Sequence, residues 1–92
     1  MGKRKNKQPY DLVVIKWVDS GRSPNWELLE ELTKPVLTVI FSVGWLVSKT
    51  KHALFIVPHL SDPNCGAAHQ SCGGMTIPRA AVISQHVISK AN

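Results

Sequence analysis

Residues 36–49 read V-L-T-V-I-F-S-V-G-W-L-V-S-K, and this stretch decides the fold. Apolar residues occupy every odd position from Leu37 to Val47, whereas several of the even positions are polar or small. Alternation with a period of two is typical of a β-strand that buries one face. We therefore expect a long strand whose odd residues point into the core. Gly44 within this strand predicts a bulge or a sharp bend, which a small barrel needs in order to curl.

Shorter strand patterns lie on both sides of the long strand. Residues 11–19 are rich in β-branched residues, and residues 53–59 alternate again after a turn at 50–52. Two more short strands are expected at residues 75–77 and 81–88. The Pro-Arg-Ala step between these two strands permits one helical turn.

A short helix is predicted between the first strand and the long one. Ser23 or Asn25 can cap it, Pro24 suits a first helical position, and Pro35 ends it. An apolar stripe that includes Trp26 would dock this helix on the sheet, because so short a helix is not stable alone.

These elements predict a mainly β fold, namely a small five-stranded SH3-like or Sm-like barrel with one short helix. The alternative is an α+β fold in which a helix covers an open antiparallel sheet. Residues 10–89 would form a single small domain, and residues 60–74 would form an irregular loop within it. Long irregular loops in compact domains are usually functional or mobile.

The positive charge of the chain is concentrated near its N-terminus. The chain has 92 residues and a formal net charge of +5, from 11 Lys and Arg against 6 Asp and Glu. Residues 1–9 are predicted to be a disordered basic tail that could follow the phosphates of a nucleic acid or simply keep the protein soluble. The basic residues of this tail are Lys3, Arg4, Lys5 and Lys7. The rest of the chain is nearly neutral, which favours a small charged ligand over duplex DNA.

The sequence predicts a cytoplasmic protein. The most apolar run is too short for a spanning helix, which needs about 20 apolar residues, and the basic N-terminus lacks the features of a signal peptide. Two cysteines without an export signal fit a reducing compartment.

Five short motifs are spread over residues 12–88. They are W-V-D-S at 17–20, Trp26, S-V-G-W-L-V at 42–47, P-H-L-S-D at 58–62 and M-T-I-P at 75–78. These motifs resemble those of small uncharacterised proteins encoded by bacteriophages and prophages. The resemblance implies a phage protein that acts in the host cytoplasm, with a counter-defence role such as the sequestration of signalling nucleotides. The basic tail is not part of this resemblance. The resembling proteins have no established activity that could be expected of this chain.

Six polar or aromatic residues form the candidate ligand-binding site. They are Asp19, Ser20, Trp26, His59, Thr76 and Arg79. An acceptor, a hydroxyl and an indole at the end of the first strand could bind a base or a sugar. Arg79 follows the Ile-Pro step, near the RNA path of Sm-like rings, and its guanidinium can pair with phosphate, as could His59. In the alternative interpretation, the side chains of Asp19 and Ser20 bond the backbone of a turn. Trp26 would then lie in the core, and Arg79 would be an ordinary surface arginine.

Four possible zinc ligands lie in or beside the irregular loop. His59, Cys65, His69 and Cys72 have the spacing H-x5-C-x3-H-x2-C, and four such ligands can complete a tetrahedral site. The spacing lacks the paired C-x2-C of zinc knuckles, so two free thiols and two polar histidines are the alternative. A zinc-stabilised module is one hypothesis, and no other cofactor is expected.

The sequence contains no catalytic motif, which favours a non-enzymatic binding protein. Its ligand would carry phosphate, as a signalling nucleotide or a short RNA, and a homo-oligomer would supply the rest of the pocket. The alternative is a protein inhibitor of a host factor, which would bind through a sheet edge or the Trp26 helix. A small nucleotide hydrolase that uses His59 and His69 as acid and base is the enzymatic option.

Overall fold

The computed structural model describes residues 5–20, 26–32 and 37–92. Within these residues the chain forms seven β-strands and two short 3-10 turns. The strands are β1 Leu12–Asp19, β2 Thr38–Lys49, β3 Ala53–Val57, β4 His59–Leu60, β5 Ser71–Cys72, β6 Met75–Pro78 and β7 Val82–Ser89, and the turns are Leu29–Glu31 and Arg79–Ala81.

Five of the strands form one antiparallel sheet, in the order β6-β3-β2-β1-β7. The prediction of a mainly β fold is confirmed, and so is the helical turn before the last strand. No ladder joins β6 to β7 among the described residues, so a closed barrel is not observed. The predicted irregular loop is more regular than expected, because β4 pairs with β5 in a separate two-stranded ladder.

The core lies on the face of the sheet that carries Val13 and Ile15. The pairing of β1 with β2 places these residues opposite Gly44 and Ser42, so the even positions of β2 share their face. Five buried residues form the core, and four half-buried ones pack against it. The buried ones are Val13, Ile15, Leu54, Ile56 and Ile77, and the others are Trp17, Leu46, Val82 and Val87.

The prediction that the odd residues of β2 point into the core is wrong over the first half of the strand. Val39, Phe41 and Val43 are 47%, 65% and 51% exposed. Alternation identifies the residues that share a face, but the neighbouring strands decide which face is buried. Here β1 and β3 place the buried residues Val13 and Ile56 opposite Gly44 and Leu46.

The expected bend of β2 lies beyond Gly44. The pairing with β1 is regular through Gly44, whereas the pairing with β3 shifts between Leu46 and Ser48. Gly44 has a different role, since a Cβ atom there would lie 2.8 Å from the carbonyl oxygen of Val57. The glycine therefore permits the close approach of β3.

The predicted helix is not observed where the structure describes the chain. Residues 26–32 contain only the 3-10 turn Leu29–Glu31, and Trp26 is fully exposed. Leu28, Leu29 and Leu32 of the same segment are also exposed, so the expected apolar stripe does not dock on the sheet. The remainder of the predicted helix lies outside the described residues.

The N-terminal segment differs from the predicted disordered tail over residues 5–9. The side chain of Asn6 donates to the carbonyl oxygens of Tyr10 and Lys90, at 3.1 and 2.9 Å. Gln8 is buried, donates to the carbonyl oxygen of Ser61 at 2.9 Å and contacts His69 Nε2 at 2.9 Å. These bonds tie the segment to the C-terminus and to the 60–70 region.

Candidate functional site

Arg79 is fixed on the hairpin that joins β2 to β3. Its backbone N–H donates to the carbonyl oxygen of His52 at 2.9 Å, and its Nε donates to that of Thr50 at 2.7 Å. The hairpin is itself closed by Thr50, whose N–H donates to the carbonyl oxygen of Ala53 at 2.8 Å. Among the described residues the terminal nitrogens of the guanidinium have no hydrogen-bond partner, so they can bind an anion.

Three other basic residues lie on the hairpin to which Arg79 is bonded. Lys49, Lys51 and His52 are exposed on the same hairpin, and we name these three residues and Arg79 the basic hairpin. Within the described part of the chain, no carboxylate forms an ion pair with any of them, and residues 48–54 and 75–82 contain no acid. Three of the seven Lys and Arg residues that follow the tail are therefore gathered at one end of the sheet.

An open cleft of about 370 Å³ adjoins the basic hairpin. It lies between the N-terminal segment and the end of β2, and Lys49 belongs to both the cleft and the basic hairpin. Its lining residues are Pro9, Tyr10, Asp11, Leu46, Val47, Ser48, Lys49 and Ala91. This volume lies within the range of small-molecule sites, about 300–1,000 Å³.

Hydrogen bonds fix Tyr10 and Asp11 in the lining of the cleft. The carbonyl oxygen of Asp11 accepts from the N–H of Leu46 at 2.9 Å, and its Oδ1 accepts from the N–H of Ala91 at 2.7 Å. Tyr10 immediately precedes Asp11, and its carbonyl oxygen accepts from Asn6. The cleft thus combines an aromatic ring, a carboxylate, the Ser48 hydroxyl and an ammonium group.

The structure does not bring all six predicted ligand residues into one cluster, although β1, which ends at Asp19, contacts the 3-10 turn that begins at Arg79. Arg79 belongs to the basic hairpin, and Thr76 is exposed on β6 opposite Phe55. Asp19 lies opposite Thr38 at the end of β1, followed by the exposed Ser20. Trp26 lies in the segment with the exposed 3-10 turn, and His59 lies opposite Cys72 in the small ladder. No hydrogen bond between two of the six is present among the described residues.

Sequence reasoning missed five residues of this site, and a signal existed for three of them. Lys49 precedes the predicted turn at residues 50–52, and Lys51 and His52 lie within it, so these three basic residues must share one hairpin. Tyr10 and Asp11 gave no such signal, because they reach the cleft only through contacts with the C-terminal residues and β2.

The possible zinc ligands are not assembled into one cluster. Among the described residues, no group of three or more His, Cys, Asp or Glu side chains is placed to hold a metal ion. Cys65 and Cys72 are exposed free thiols, and the ring of His69 contacts Gln8. Of the basic tail residues, Lys5 and Lys7 are exposed, whereas Lys3 and Arg4 lie outside the described residues.

The polar groups of the 59–72 segment mainly stabilise its own backbone. Ser61 Oγ accepts from the N–H of Gln70, and Asp62 Oδ1 accepts from the N–H of Asn64, both at 2.8 Å. These two side chains therefore act as turn-stabilising groups.

Comparisons with known proteins give no relative for this chain. No family model matches it, and neither a curated protein nor a solved structure matches it significantly. In the ranges that the structure describes, no helix is long and apolar enough to cross a membrane.

Proposed function

We propose that the protein binds a phosphate-bearing ligand of the nucleotide or short RNA type in the cleft beside the basic hairpin. One observation carries this proposal: Lys49 joins a cleft lined by an aromatic residue and an acidic residue to a group of basic side chains that have no acidic partner among the described residues. A nucleotide presents the complementary groups, namely a base, ribose hydroxyls and phosphates.

Each cleft residue has a chemical role in this proposal. The ring of Tyr10 stacks on a base, which is worth about 1–3 kcal/mol. The carboxylate of Asp11 accepts from a ribose hydroxyl or a base edge. Lys49, Lys51 and Arg79 contact phosphate oxygens, and the guanidinium can do so bidentately because its Nε is already anchored.

The fold and the resemblance to phage proteins support a role in ligand sequestration. The last strand, β7, lies beside β1, and a single 3-10 turn joins β6 to β7. This connection is the one expected of an SH3-like or Sm-like barrel, a fold that often binds nucleic acid. A phage protein of this kind would act in the host cytoplasm and withhold a signalling nucleotide or an RNA from a defence system.

Neutralising the basic hairpin is expected to abolish most of the binding. In the variant K49Q/K51Q/R79Q, the affinity for ATP should fall about tenfold or more for each basic group removed from the phosphates, because a hydrogen bond to a charged group contributes about 1.5–3 kcal/mol. For an oligoadenylate RNA, the slope of the logarithm of the binding constant against the logarithm of the salt concentration should become less steep. The change should be about 0.7 for each phosphate that is no longer neutralised. Calorimetry with ATP and fluorescence anisotropy with the RNA measure the two quantities.

Two controls make this experiment specific to the site. Lys16→Gln removes one charge, as each single hairpin substitution does, from another part of the sheet, where Lys16 Nζ lies 5.6 Å from the Phe41 ring centroid. Tyr10→Phe keeps the stacking ring, whereas Tyr10→Ala removes it. If K16Q weakens binding as much as each hairpin substitution, the ligand is held by net charge and the site is wrong.

A second candidate function is the inhibition of a host protein through residues 26–32. The supporting observation is the exposure of Trp26 and Leu29, which reaches 103% and 85%. Apolar residues exposed together mark protein interaction sites. A photo-crosslinking residue at position 28 should then give one discrete heteromeric adduct in host cells, and the additional substitutions W26A and L29A should remove it. A pattern of adducts that the two substitutions leave unchanged would contradict this function.

A further inference from the structure

The first half of β2 has an edge without a neighbouring strand. β2 pairs with β1 from Thr38 to Trp45, but with β3 only from Trp45 onward. β3 ends at Val57, and the next residue is Pro58, which has no N–H to continue the ladder. Among the described residues, no strand pairs with β2 before Trp45 on this side.

The hydrogen-bonding groups at this edge belong to three residues. The N–H of Leu46 donates to the carbonyl oxygen of Asp11 on the β1 side, so the even residues of β2 direct their backbone groups toward β1. Val39, Phe41 and Val43 therefore direct their N–H and C=O groups toward the open edge. We name these three residues the β2 edge.

The side chains of the β2 edge are also exposed, on the face of the sheet away from the core. They are 47%, 65% and 51% exposed, and Leu37 next to them is 70% exposed. Edge strands of monomeric proteins are usually blunted by charges, proline or bulges. Residues 38–43, T-V-I-F-S-V, contain no charge and no proline, and their pairing with β1 is regular.

We propose that the β2 edge pairs with the β2 edge of a second copy of this chain, antiparallel about a two-fold axis at Phe41. The sequence is symmetric for this arrangement, because Val39 and Val43 lie at equal distances from Phe41. Phe41 then lies opposite itself, and each Val39 lies opposite the partner's Val43. All backbone groups that the β2 edge directs outward find partners, and the two five-stranded sheets become continuous.

The charge distribution permits this self-pairing. The charged side chain beside the β2 edge on this face is Lys16, which lies opposite Phe41 on β1. The Lys16 Cα atoms of the two copies would be three strand spacings apart, about 14 Å. Each ammonium group lies over the Phe41 ring of its own chain, 5.6 Å from the ring centroid. The apolar and symmetric edge therefore favours a second copy over a charged or asymmetric partner strand.

Sedimentation equilibrium with a charge-reversal pair tests the proposal. The wild-type protein should have twice the 10.1 kDa mass of one chain. Phe41→Lys and Phe41→Glu should each be monomeric, because like charges would face each other at the axis, and an equimolar mixture of the two should regain the dimer mass. The substitution Ile83→Lys, at a 51% exposed position on β7, should leave the dimer intact.

Amide exchange gives a second readout that needs no folded variant. The Phe41 amide of the wild-type protein should become protected as protein concentration rises, whereas the Ser42 amide, paired with β1, should be protected at every concentration. A wild-type monomer, a dimer that survives F41K, or a mixture that stays monomeric would overturn the proposal. None of the residues of the β2 edge lines the cleft beside the basic hairpin. Ligand binding in that cleft can therefore succeed or fail independently of self-pairing.

Discussion

Replacing Ile15 by alanine will lower the free energy of unfolding by about 2–5 kcal/mol, the usual cost of removing a large apolar side chain from a core. Ile15 is fully buried on β1, and the core cluster around it includes residues from β3 and β6. The cavity left by the substitution would lie between strands that cannot close it without losing their pairing. Urea unfolding of the wild type and the I15A variant measures the difference directly.

A matched substitution at an exposed position makes the experiment a test of the fold. Ile88→Ala removes the same atoms from β7 at a position that is 47% exposed, so it should cost less than about 1 kcal/mol. Equal destabilisation of the two variants would mean that the buried face of the sheet has been assigned incorrectly. Ile88 lies outside the β2 edge, so self-association should not alter the comparison.

The assignment of faces is also where the sequence is least informative. The alternation around Phe41 correctly predicts a long strand, because the period of two is a property of the strand itself. Which side of that strand is buried depends on β1 and β3, which place Val13, Ile15 and Ile56 on the side of the even residues. That information is spread over three distant segments, and no single segment contains it.

The predicted helix illustrates a different limit of sequence reasoning. The pattern around Trp26 is compatible with a helical stripe, but a helix of this length forms only when its apolar face docks. The sheet buries its core face with its own strands, and the described residues 26–32 remain exposed. A local pattern cannot show that the docking surface is already occupied.

The candidate site can be predicted only in part. Arg79 is identifiable because a single turn before the last strand is visible in the sequence, and the turn is confirmed as Arg79–Ala81. Its bond to Thr50 is not predictable, since it joins two segments 29 residues apart. Tyr10 and Asp11 follow directly on the predicted tail, and only the pairing of that segment with the C-terminus places them at a cleft.

Replacing Gly44 by valine should destabilise the protein by about 3 kcal/mol, the upper part of the range for an overpacked interior. Strand preference alone predicts that this substitution stabilises the protein, because valine is favoured in strands and glycine is not. A Cβ atom at Gly44 would lie 2.8 Å from the carbonyl oxygen of Val57 and 3.3 Å from Cβ of Ile56. The first of these is a backbone atom of a fully buried residue, so it cannot yield without displacing β3 from β2.

Two further variants separate the steric effect from general damage to the strand. Gly44→Ala should be less destabilised than G44V, because it adds only the Cβ atom and reduces the backbone entropy of the unfolded chain. Ser48→Ala, at an exposed position of the same strand, should change stability by no more than about 0.5 kcal/mol. Thermal unfolding should therefore rank the variants S48A, G44A and G44V in order of decreasing stability. A G44V variant as stable as the wild type would show that β3 does not approach β2 this closely. The packing of Leu46 beside Ile56 in the core would then be assigned incorrectly.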